Sequence, residues 1–307
     1  MRNRFASLTG LLAGLLAVLV AVAPVAAITN GAPDAQEHPY VGELLFFDPD
    51  APSSVYPDPG GWFTCSGTLV SPTVVLTAGH CTFGVGRNGH STTTGGGTGD
   101  GGNDIWIDFS EAAHFTGFPP TASYATQQAR YDARAAWLNG NANWHRGTSH
   151  PHPQFDNAAF YLHDAGVVVL DTPITMTTYG RIPGLNYLQR YASAPKNDHR
   201  FEVVGYGLEK VLPKADFGGD TRRKSEPKLN TIQGTPKLTY ILLSNNRKTG
   251  GTCFGDSGGP TFDNTSSNLV VGVTSFGFSP NCTGVGGVYR IDQPDDLGFL
   301  AGYGIRP

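Results

Sequence analysis

Apolar residues in this chain gather in short clusters separated by glycine, proline and polar residues, and few stretches carry a helical repeat. The first cluster, residues 11–23, lies behind Arg2 and Arg4 and ahead of Val25-Ala-Ala27. A basic start, a short apolar centre and small closing residues make a secretory signal, so residues 1–27 are expected to be removed on export. The run is too short to cross a bilayer comfortably, and no comparable run follows. Most later clusters predict strands: 38–46, then 63–70 with 74–77 as a hairpin, then 201–207, 269–277 and 286–291. Residues 166–170 are largely β-branched and predict a buried strand, while 295–300 predict a short terminal helix. With 41 glycines and little helical periodicity, the fold class expected is all-β.

Charge narrows the role. Loss of residues 1–27 removes two of the 21 basic residues and none of the 25 acidic ones, which moves the net charge from −4 to −6. That balance disfavours nucleic acid and anionic membranes as partners.

Three stretches carry chemistry. Gly255-Asp-Ser-Gly-Gly-Pro260 places a serine among residues that turn sharply, with the amides of Gly255 and Ser257 free to face a cleft. The same residue types also make an ordinary turn. A serine hydroxyl needs a base, and of nine histidines only His80 combines a strand end, small neighbours and an adjacent cysteine. Asp164 opens the 166–170 run, and an acid entering a core wants a partner. It is the natural orienter of the His80 imidazole.

On Thr77-Ala-Gly-His-Cys81, Asp164-Ala-Gly-Val-Val-Val-Leu170 and Gly255-Asp-Ser-Gly-Gly-Pro260, in that order, the chain resembles the chymotrypsin-like serine endopeptidases. The resemblance covers the mature chain except residues 84–144. It implies two six-stranded antiparallel Greek-key β-barrels, about 28–178 and 179–307, with the active site between them and a short C-terminal helix. It implies a catalytic triad of His80, Asp164 and Ser257 and an oxyanion hole from the Gly255 and Ser257 amides. It also selects one of the three pairings open to four cysteines, Cys65 with Cys81 and Cys253 with Cys282. Signal cleavage would leave Ile28 at the N-terminus, and the freed ammonium is expected to pair with Asp256. Around the substrate pocket the resemblance places Gly251 at the base, beside Thr252, with Ser275, Phe276, Gly277 and Gly287 along the wall. No charge stands at Gly251, so an apolar side chain is expected on the acyl side of the cut bond.

Other features read as structure. Residues 84–102, rich in glycine, serine and threonine, predict a surface insertion without a packed core, and Asp100, Asn103 and Asp104 a solvated loop rather than a calcium site. The histidines of His150-Pro-His-Pro153, near His145, suggest a metal, but the prolines predict a turn, and His163 is expected at the surface. Asn264-Thr-Ser266 and Asn281-Cys-Thr283 fit glycosylation acceptors. No cofactor and no metal are expected. The expectation is a secreted, extracellular, monomeric enzyme acting on protein or peptide substrates, with protein inhibitors as further partners. The alternatives are a catalytically silent homologue that binds partners, and an esterase of another fold, which the absence of Gly-x-Ser-x-Gly disfavours.

Overall fold

A computed structural model describes residues 28–51, 61–88, 101–192, 199–233, 239–264 and 268–307. The signal segment, Asp100 and part of the 264–266 acceptor lie outside these residues. The first half contains β1 (Ala32–Pro33), β2 (Val41–Asp48), β3 (Gly61–Ser71), β4 (Val74–Thr77), β5 (Ile105–Asp108), β6 (His145–Pro151) and β7 (Gly166–Leu170). Six of these strands close into an antiparallel barrel in the order β2-β3-β4-β7-β6-β5. The run predicted at 166–170 is β7, buried except at Val169, as a strand packed on both faces requires.

The second half adds β8 (Phe201–Gly205), β9 (Leu208–Leu212), β10 (Ala215–Gly218), β11 (Arg223–Ser225), β12 (Leu229–Gln233), β13 (Tyr240–Asn245), β14 (Pro260–Asp263), β15 (Val270–Gly277) and β16 (Gly284–Arg290). Its main sheet runs β1-β11-β8-β14-β15-β16-β13-β12, with β9 and β10 as a separate hairpin. The second barrel is thus a curled sheet, with no ladder joining β12 to β1 among the described residues. One apolar cluster spans both halves, joining Leu44, Val75 and Val167 to Val204, Phe262, Val273 and Tyr289. Burial of these side chains holds the halves together and fixes the seam between them.

Two helices complete the fold. The terminal one, α2 (Pro294–Gly302), matches the expected position. The other, α1 (Gln127–Gly140), was not anticipated. The Thr126 side chain accepts a hydrogen bond from the Ala129 amide at its start, satisfying an orphan donor. Its Leu138 packs with Leu45, Trp106 and Trp144, and the Arg134 guanidinium lies 4.8 Å from the Phe118 ring. The 109–144 stretch therefore builds a satellite core against the barrel. The 84–102 stretch is also partly embedded: Val85 is fully buried, and a Cβ on Gly101 would fall 2.0 Å from the Ser149 carbonyl.

Candidate active site

Strand register brings the histidine and the first aspartate together. In the antiparallel β4–β7 ladder Thr77 faces Gly166, so the residues just past β4 and just before β7 emerge at one end of the barrel. His80 lies three positions beyond Thr77, and Asp164 two before Gly166. Asp164, fully buried, accepts hydrogen bonds from the His80 backbone N–H at 2.9 Å and from Nδ1 at 2.9 Å and 3.1 Å. The Ser275 hydroxyl donates to Oδ2, the oxygen nearer to Nδ1. Burial works against the charged imidazolium, but the charge and hydrogen bond of Asp164 outweigh it and hold the His80 pKa above its ordinary value. The disulfide Cys65–Cys81 forms beside His80, and Cys253–Cys282 ties the serine loop to the segment before β16.

Ser257 enters from the second half, three residues ahead of β14. It lines one cleft with His80, Gly255 and Phe254. No hydrogen bond joins its hydroxyl to His80 among the described residues. In enzymes without substrate such bonds are commonly long and tighten on binding. Gly255 sits at φ +93°, in the left-handed region, and a Cβ there would meet the Gly207 Cα at 2.8 Å, so only glycine fits. The Phe254 carbonyl accepts from the Leu208 N–H at 2.7 Å. Because the peptide group is planar and trans, this turns the Gly255 N–H the opposite way.

Ser257 also borders a cavity of about 240 Å³. Thr252, Ser275, Phe276 and Gly277 line it, together with Asn245, Phe254, Phe278 and Val285, and none of its lining residues is charged. A Cβ on Gly277 would meet nothing within 4 Å. Gly287 instead lies under the Phe276 ring, where a Cβ would come 2.3 Å from the ring carbon. Gly251 sits behind Asn245: its Cβ position is 2.3 Å from the Asn245 side chain, so the polar group nearest the expected pocket base belongs to β13. Asn245 accepts from the Thr29 hydroxyl at 2.6 Å and donates to the Thr252 carbonyl at 2.7 Å. No motif marks Asn245 in the sequence. Its only signal is the lack of side chains at Gly250 and Gly251, which leaves room for a neighbour.

Ile28 is buried among Leu188, Phe201 and Val271, and Thr29 pairs with Gly251, so the N-terminal segment runs alongside the chain leading to Asp256. In the unbroken chain, Asp256 accepts from the Cys253 N–H at 2.7 Å and the Gly207 N–H at 2.8 Å. Burial raises its pKa to about 7 against these two backbone donors.

His152, His163 and Asp295 bring potential metal ligands together. The His152 Nδ1 accepts from the Gln154 N–H at 3.1 Å, which leaves the ring proton on Nε2, and the His163 Nδ1 lies 2.9 Å from Asp295. The first contact is local to the His-Pro segment, while the second is a long-range approach to α2 that leaves His163 partly buried and not at the surface position expected for it.

The sequence profile of the trypsin family matches residues 139–292, a span that contains Asp164 and Ser257 and begins after His80. HL collagenase superposes with a TM-score of 0.60 at 16% identity, covering 91% of this chain and all of that one. A variant of human heparin binding protein gives a TM-score of 0.53 at 16% identity, over 90% of this chain and 95% of that one. An inactivated protease paralogue of the scabies mite gives 0.56 at 14% identity, over 91% of this chain and all of that one. No curated protein sequence matches. At these identities the likeness is one of fold, and it embraces an inactivated protein.

Proposed function

The chain belongs to the trypsin family of serine proteases, and from that premise we propose that it is an active, secreted endopeptidase. Residues 1–27 are the export signal, and 28–307 the protease domain, with the first barrel to about 178. The observation that carries the reading is the buried Asp164 carboxylate hydrogen-bonded to His80, in the cleft that Ser257 shares. Asp164 holds the His80 proton on Nδ1, which leaves Nε2 free to act as base toward the Ser257 hydroxyl. Ser257 attacks the carbonyl, the Gly255 and Ser257 amides receive the oxyanion, and His80 then protonates the leaving amine. Water repeats the cycle on the acyl-enzyme and releases the acid. A cavity with aromatic walls and no charged lining supports an apolar residue on the acyl side. Cleavage before Ile28 frees an ammonium for Asp256.

A serine-directed organophosphonate tests the reading. The wild-type chain is expected to label stoichiometrically at Ser257 and to hydrolyse peptides ending in a large apolar acyl residue, and Ser257→Ala to do neither while still being secreted. A well-folded wild type that fails to label is a silent homologue, the state of the scabies mite paralogue that shares its fold.

A further inference from the structure

Every polar group of Ser66 is engaged at the seam between the two halves. This residue of β3 is fully buried, directly after Cys65. Its N–H donates to the Ser257 carbonyl at 2.7 Å. Its hydroxyl donates to the Gly255 carbonyl at 2.9 Å and accepts from the Tyr206 N–H at 3.0 Å. Its carbonyl accepts from the Thr77 hydroxyl at 2.9 Å, at the end of β4 and three residues before His80. Glycines leave the space it needs: a Cβ on Gly205 would come 3.1 Å from its hydroxyl, and one on Gly259 3.1 Å from its Cβ.

The consequence for Gly255 follows from peptide geometry. The peptide before it is fixed by Leu208 holding the Phe254 carbonyl, and the peptide after it by Ser66 holding its own carbonyl. A glycine has wide φ and ψ freedom, and pinning both flanking carbonyls removes it. We infer that Ser66 is a positioning residue, a side-chain clamp that keeps the Gly255 N–H aimed into the cleft while its backbone sets Ser257. The inference rests on the proposed roles of Gly255 and Ser257. It adds that the oxyanion loop is held from the first barrel by a hydroxyl, through contacts present while the chain before Ile28 is unbroken.

The test compares Ser66→Ala, Ser66→Thr and Thr68→Val. Thr68 is the control, because its hydroxyl is buried on the same strand with no hydrogen-bond partner among the described residues. In Ser66→Ala, kcat on a peptide amide is expected to fall about ten- to a hundredfold with KM within about twofold, as for a donor misplaced in the transition state. Amide hydrogen exchange over residues 250–260 is expected to quicken about fivefold or more, with β7 unchanged. Ser66→Thr, which keeps the hydroxyl, and Thr68→Val are expected to behave as wild type. Unchanged kcat or unchanged exchange in Ser66→Ala overturns the clamp, as does Ser66→Thr no better than Ser66→Ala. If the wild type itself does not label at Ser257 the proposed activity fails, and the exchange comparison still decides the clamp.

Discussion

Asp256 offers a quantitative test of what cleavage before Ile28 does. In the unbroken chain its carboxyl is fully buried, held among the described residues by the N–H groups of Cys253 and Gly207, and burial carries its pKa from 3.8 to about 7. At about 1.4 kcal/mol per tenfold in protonation, keeping it ionised costs the fold roughly 4 kcal/mol. Below pH 3.8 the group is protonated in both folded and unfolded chains. Between 3.8 and about 7 the unfolded chain releases its proton while the folded chain keeps it, so stability falls as pH rises through that window. From pH 5 to pH 8 the loss attributable to Asp256 is about 3 kcal/mol. A free Ile28 ammonium beside the carboxylate supplies a counter-charge, lowers the pKa and removes most of that loss. The assay is urea denaturation at pH 5 and pH 8 of two forms, one beginning at Ile28 and one retaining residues before it. Asp256→Asn chains of each form subtract the other titrating groups. Equal pH dependence in the two forms, after subtraction, would refute the ion pair. Absence of the loss in the extended form would refute the account of the buried carboxyl.

Two further outcomes follow from buried polar groups. Asn245→Asp, which introduces a charge into a cavity whose lining has none, is expected to shift the preferred acyl-side residue toward lysine and arginine by at least tenfold in relative kcat/KM, read by peptide-library cleavage. The Glu43 carboxyl is 1% exposed, and burial, then the neighbouring Asp220, pushes its pKa well above 4.5. Its contribution is complete below pH 4.5 and lost as pH rises toward the folded value, so Glu43→Gln is expected to match wild type in acid and exceed its melting temperature at pH 8.

The candidate site residues were legible because they sit at breaks in the hydrophobic pattern. A β-branched run opened by an acid, and an apolar run ending in Ala-Gly-His, are each local features. Their meeting needs one further fact, that β4 and β7 pair antiparallel with Thr77 opposite Gly166. The helix α1 escaped because its apolar positions are few and its inner face includes Arg130 and Arg134, so no apolar stripe announces it. The wall assigned to Gly287 is covered by Phe276, since that cross-strand pair lays a ring over a residue with no side chain of its own.

Composition and local order thus determined the all-β class, the cysteine count available for bridges, and which serine, histidine and aspartate stand at strand ends. Tertiary structure alone decided that Asn245 fronts Gly251 and that Ser66 grips the loop around Gly255. Register and packing bring together residues as far apart in sequence as Ser66 and Gly255, 189 positions, and no local pattern encodes a neighbour that distant.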